Sequence, residues 1–299
     1  MAVQLQARRF TEARAHHGEG ATWDAAMQRW LWVDMLAGRV MVSDASGATT
    51  AQQLPDRVAA LVRPHVEGGH IVVGEHTVWW TDLDDEKAFP IRLSELPIAS
   101  GCRANEGACD ASGRLAVGSM AYDESVGVGN VWTFRDDGSL ATALAGTTIS
   151  NGTVFESDSA VVFADSATGQ VCRFDVAADG AWTNRRVLIE ISLPGTGPDG
   201  ICMDVEGGIW VALWDGARAQ RWSAEGVLTH EVLVPTPRAT SVALGGPLGR
   251  TLFITTSAVD LPTEDVDAGA CFTVEVATPG QPIRPCRIPA RPSVASRLL

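Results

Sequence analysis

Asp199-Gly-Ile-Cys-Met-Asp204, running on through Val-Glu-Gly-Gly-Ile-Trp-Val-Ala-Leu-Trp to Asp215, reads as an oxygen-bearing residue, an acid, a short turn and a strand of large apolar side chains. The same order recurs at Glu19-Gly-Ala-Thr-Trp-Asp24 before RWLWVDM, at Asn105-Glu-Gly-Ala-Cys-Asp110 before GRLAVGSM, and at Asn151-Gly-Thr-Val-Phe-Glu156 before SAVVFADS. A weaker copy begins near Thr240-Ser241, and another near Val58 leads into GGHIVVGEHTVWWTD. The starts lie roughly 40 to 50 residues apart, the period of a blade of four short strands. Elsewhere too, short apolar or alternating segments end at Gly, Asp, Asn or Ser, and none carries a long helical stripe. The chain is therefore expected to be all-β: a single six-bladed β-propeller domain over residues 1–299, with a metal site in the central channel. The N-terminal strand, Gln4 to Phe10, is expected to pair with the C-terminal segment and complete the last blade.

Composition fits that reading and excludes several functions. The 299 residues are 45% hydrophobic and 20% charged, enough to bury a large core. A formal charge of -13 offers no basic stripe for neutralising phosphates, so nucleic acid is not an expected partner. No apolar run is long enough to cross a membrane as a helix, and MAVQLQARRFTEAR has no apolar signal core, so the expected location is the cytoplasm. The six cysteines are scattered without metal-ligand spacing and read as buried free thiols. A closed ring leaves few free strand edges, so a monomer is expected.

In a propeller the innermost strands line the channel, so equivalent repeat positions converge on one ring. The position five residues before the repeat acid is Glu19, Asn105, Asn151 and Asp199, and every one carries a side-chain oxygen. Any one of these could be an ordinary turn former. Carboxylates aimed into one narrow channel repel unless a cation neutralises them. The simplest arrangement is one divalent ion. Oxygen donors suit Ca²⁺, Mg²⁺ or Mn²⁺, and Zn²⁺ or Fe²⁺ also accept carboxylates. Asp24, Asp110, Glu156 and Asp204 read instead as structural turn starters.

At these residues the chain resembles the family of senescence marker protein (regucalcin), gluconolactonase and luciferin-regenerating enzyme. The resemblance is carried by GEGATWD, WLWVDMLAGRVMVSDASG, CRANEGACDASGRLAVGSM, ISNGTVFESDSAVVFADSATGQVCRFD, GPDGICMDVEGGIWVALWDG and SVALGGPLGRTLFITTS. It implies a six-bladed propeller, one divalent metal and, in many members, hydrolysis of sugar lactones. It implies Glu19, Asn151 and Asp199 as metal ligands, Arg103 and Asn105 as substrate-binding residues, and Asp123 as an acidic substrate contact. Ala104 and Glu106 depart from the family's usual aromatic residue and Asp, and blade two aligns poorly.

The reaction expected from this set is hydrolysis of a sugar-acid lactone to the open-chain aldonic acid, with Asp199 as general base and the metal polarising the carbonyl. Two other readings remain open: a metal-dependent esterase or organophosphate hydrolase, and a non-enzymatic metal- or ligand-binding propeller. Gly195-Thr-Gly-Pro-Asp-Gly200 matches a dinucleotide motif, but a strand-like run follows it where a helix is needed. His16 and His17 are read as supporting or surface residues. The tryptophans are read as packing between blades, with Trp214 also placed to line the site.

Overall fold

Apolar side chains that alternate along short strands, interrupted by glycine and acid turns, build six four-stranded antiparallel sheets, one of them extended by a fifth strand. The computed structural model describes residues 2–85 and 87–289. Blade 1 consists of Gly18–Asp24, Arg29–Asp34, Arg39–Ser43 and Thr49–Gln53, and blade 2 of Leu61–Pro64, His70–Val73, Thr77–Thr81 and Ile91–Glu95. Blade 3 holds Cys102–Cys109, Leu115–Ala121, Gly129–Phe134 and Leu140–Thr147. Blade 4 holds Ser150–Ser157, Ala160–Asp165, Gln170–Val176 and Trp182–Glu190. Blade 5 is Gly197–Met203, Ile209–Trp214, Arg218–Trp222 and Leu228–Leu233, and blade 6 begins with Ala239–Gly245, Thr251–Thr256 and Phe272–Glu275. The first strand of each blade touches that of the next, and blade 6 returns to blade 1, closing a six-bladed propeller.

The core lies between blades. Trp23, Trp30, Trp32, Ala243 and Phe253 join blades 1 and 6, with the Trp30 and Phe253 rings stacked at 4.6 Å. Val162, Ile189, Ile201 and Val211 join blades 4 and 5 in the same way.

Ring closure differs from the sequence expectation. Only Arg8–Arg9 pair antiparallel with Phe272–Glu275 to complete blade 6, whereas Val3–Gln6 add a parallel fifth strand to blade 5 along Leu228–Leu233. The reason is local: Ala7 is buried and its N–H donates to Leu233 O at 3.0 Å, so the segment changes sheets there.

Five inner strands share one irregularity. Their register against the second strand slips between Glu19 and Thr22, Ala104 and Gly107, Ser150 and Thr153, Pro198 and Ile201, and Ala239 and Val242. A bulge re-aims side chains locally. Asn105, Asn151 and Asp199 fall within these bulges and Glu19 borders its own, so the Asn-Gly and Asp-Gly pairs lie inside strands, not in turns. Gly152 permits the close approach of neighbouring inner strands, since a Cβ there would stand 2.6 Å from both Asp199 O and Ile201 N.

The repeat acids are structural. Asp24, Asp110, Glu156 and Asp204 each pair with an arginine of their own blade, Arg29, Arg114, Arg173 and Arg221, at 3.2, 2.7, 2.7 and 2.6 Å. Asp110 also accepts the N–H groups of Ser112 and Arg114, and Asp204 those of Glu206 and Gly208, which fixes the hairpin turn.

Candidate active site

The inner strands of four blades bring Glu19, Arg103, Asn105, Asn151 and Asp199 to one mouth of the channel. There they line a cavity of about 370 Å³ with His17, Met120, Glu124, Ile149, Ser166 and Trp214. All five are buried. Glu19 Oε2 accepts the Gly20 N–H at 3.1 Å, while Oε1 stands 3.9 Å from His17 Nε2. Asn151 Nδ2 donates to Ser166 Oγ at 2.9 Å, and Ser166 Oγ donates to Pro198 O at 2.6 Å, which fixes which way the Asn151 amide faces.

Arg103 is held as firmly. Its Nη1 donates to Asn105 Oδ1, to Ala104 O at 3.2 Å and to Met35 Sδ at 3.0 Å, and the Tyr122 ring lies 5.8 Å from the guanidinium carbon. Asn105 Nδ2 donates to Ser150 O at 2.9 Å. Asn105 thus braces Arg103 against blade 4.

Burial pushes the Glu19 carboxyl well above the usual carboxylate range, with repulsion from Asp199 and Glu106 adding to it. The Asp199 carboxyl is raised by burial and then by Glu106, against the pull of the Gly200 N–H, Arg103 and Asn151. His17 is lowered to about 3 by burial and by the positive charge of Arg103, so its imidazole is neutral at ordinary pH; its Nδ1 lies 2.8 Å from Ser257 Oγ.

A family model described as "SMP-30/Gluconolactonase/LRE-like region" matches residues 17–258, a span that holds every one of these side chains. The chain belongs to this family. Among proteins of the family the chain is 31% identical over 271 residues to a 6-deoxy-6-sulfogluconolactonase of Pseudomonas putida, covering 88% of this chain and 92% of that one. It is 31% identical over 287 residues to an L-arabinolactonase of Azospirillum brasilense, covering 92% and 93%. A solved structure of a calcium-binding protein, regucalcin, from Agrobacterium tumefaciens superposes with a TM-score of 0.86 at 24% identity, covering 96% of this chain and 98% of that one.

The donor set of this family member fits a divalent cation. Asn151 Oδ1 and Asp199 Oδ1 are buried acceptors without a hydrogen-bond partner, an expensive state that a cation relieves. Among the described residues no three His, Cys, Asp or Glu side chains group as metal ligands.

The structure separates Asp123 from the other residues singled out in the sequence. Asp123 sits on an exposed turn, its Oδ1 accepting the Ser125 N–H at 3.1 Å and Ser125 Oγ at 2.7 Å, and the acid lining the cavity is its neighbour Glu124, at φ 57. Glu106 lies deeper in the channel, 3.4 Å from Arg63 Nη2, and burial raises its carboxyl. Sequence reading missed its charge contribution because Arg63, its partner, belongs to blade 2, where the repeat is faint. His17 and Trp214 form one wall, with rings 5.8 Å apart and the Arg238 guanidinium 4.5 Å from the Trp214 ring.

Proposed function

We propose that this protein hydrolyses the lactone of a sugar acid to the open-chain aldonic acid, using a divalent cation held by Glu19, Asn151 and Asp199. The observation that carries the reading is the juxtaposition at one channel mouth of two buried carboxylates, two unpartnered buried oxygens and one buried arginine. Relatives named as sugar lactonases, matched over about nine-tenths of the chain, support the substrate class.

A bound divalent cation would supply Lewis-acid polarisation of the lactone carbonyl and lower the pKa of water beside it. Asp199, buried and unpartnered at Oδ1, would accept the proton of the attacking water. Arg103, its orientation set by Asn105, Ala104 and Met35, donates charge-assisted hydrogen bonds to the lactone oxygens and to the product carboxylate. Trp214 presents an aromatic surface to the C–H face of the sugar, and Glu124 offers an acceptor for hydroxyls at the rim.

The test is a panel of glucono-, galactono-, xylono- and arabinonolactones beside aryl esters and organophosphate triesters, followed by a pH indicator. Turnover of the sugar lactones far above the other classes is expected. Preferential cleavage of aryl esters or phosphotriesters would overturn the substrate assignment.

A further inference from the structure

Among the described residues blade 2 sends no side chain to the upper cavity, yet its inner strand brings one charged group into the channel. Arg63 lines a lower cavity that shares no residue with the upper one, and its side chain is only 11% exposed. The guanidinium reaches both neighbouring blades. Toward blade 1, Nη1 donates to Thr22 Oγ1 at 2.7 Å and to Gly20 O at 3.5 Å, and within its own strand to Val62 O at 2.8 Å. Toward blade 3, Nη2 donates to Gly107 O at 2.6 Å and to Glu106 Oε1 at 3.4 Å.

The two glycines held in this way are those that hold acids. Gly20 N–H donates to Glu19 Oε2 at 3.1 Å, and Gly107 N–H donates to Glu106 Oε1 at 3.0 Å. Thr22 Oγ1 adds a second tie, donating to Gly20 O at 3.4 Å. Gly20 has a φ of 61, and a Cβ there would stand 3.2 Å from Leu61 Cα, so blade 2 packs directly on the backbone beside Glu19. The strand bearing Arg63 is itself pinned from below. After blade 6 the C-terminal segment crosses beneath the ring as a strap from blade 5 to blades 2 and 3: Gln281 N–H donates to Met203 O at 3.0 Å, Cys286 N–H to Pro64 O at 2.7 Å, and Arg287 N–H to Gly113 O at 2.8 Å.

We propose that Arg63 is a positioning residue of the cation site, tying Gly20 to Gly107 across the channel and so fixing the direction in which Glu19 offers its carboxylate. The inference rests on the proposed function in taking Glu19 as a ligand. Arg63 acts through the backbone that carries Glu19, and groups that orient a metal ligand contribute to affinity without touching the ion. Its charge also offsets that of Glu106, which adds repulsion to both Glu19 and Asp199. Methionine in its place would fill much of the volume and make none of these bonds.

The test is calorimetric titration of metal-stripped protein with Ca²⁺, Mg²⁺, Mn²⁺ and Zn²⁺, for the wild type, Arg63→Met, Arg63→Lys and Glu19→Gln, each checked for folding by circular dichroism and a thermal melt. Arg63→Met should raise the Kd of the ion that the wild type binds by about 10- to 100-fold, with the lactone KM unchanged once that ion is saturating. Arg63→Lys keeps the charge without the forked reach and should lie between the two, and it carries the test should Arg63→Met not fold. A wild-type Kd in the folded variant would overturn the inference whatever its melting temperature, because a purely structural loss lowers stability and leaves the affinity of the folded protein in place. A wild type that binds none of the ions, or a Glu19→Gln that binds equally well, would overturn the cation reading and this inference with it.

Discussion

At the scale of the residue, the account rests on a few buried side chains whose substitutions separate their roles. Asp199→Asn keeps the side-chain volume and removes the base, so kcat for lactone hydrolysis should fall by about 10²–10⁴-fold while the circular dichroism spectrum is retained. Arg103→Met removes charge-assisted donors, and KM should rise roughly 10- to 100-fold, as read from initial rates. His230 gives a pH prediction away from the site. Burial, then the Arg221 charge, hold its imidazole below the ordinary 6.5, so the neutral form is favoured in the folded protein. The stabilisation is fully present above pH 6.5 and is lost as pH falls through the lowered value. An NMR titration of the His230 ring should show a midpoint below 6.5, and His230→Gln should flatten the fall in stability on that acid limb. Glu19, Asn151 and Asp199 were legible because they repeat, whereas Glu124 was not: the resemblance points to Asp123, and only the backbone of the 122–125 turn decides which acid faces inward.

At the scale of the element, the inner-strand bulge is the unit that converts a repeat into a site. Its sequence mark is an oxygen-bearing residue with glycine beside it, as at Asn151-Gly152 and Asp199-Gly200. Gly152→Ala would press a methyl group against the Asp199 backbone, and the stability measured by urea unfolding should drop by about 2 kcal/mol, with activity falling alongside. The repeat acids should behave differently. Asp204 is completely buried against Arg221, so Asp204→Asn should cost about 3 kcal/mol of stability by leaving the guanidinium short of its counter-charge, and the variant that remains folded should keep its KM. Blade 2 shows where legibility stopped. Its inner strand is only Leu61–Pro64 and carries no bulge, so the sequence there has the apolar run without the oxygen-bearing start. The closing strand was also misplaced, because nothing in its short polar sequence marks Ala7 as the point where the chain leaves one sheet for another.

At the scale of the molecule, six sheets arranged in a ring concentrate charge at the channel mouth of a chain whose formal net charge is -13. The period of the repeat was enough to read the number of blades, because each blade must bury its faces against two neighbours and so repeats the same apolar pattern. The strap beneath the ring was not readable, since residues 277–289 pair through isolated backbone bonds without strand periodicity. In the proposed function, the buried carboxylates at the mouth hold a cation that lactone hydrolysis requires. The most direct measurement is lactone hydrolysis by metal-stripped protein, with Ca²⁺, Mg²⁺, Mn²⁺, Zn²⁺ or Fe²⁺ restored singly, in the wild type and in Glu19→Gln. The account predicts no turnover above spontaneous hydrolysis without metal, recovery with at least one ion, and no recovery in Glu19→Gln. Full activity of the stripped protein, or metal-restored activity that survives Glu19→Gln unchanged, would contradict it.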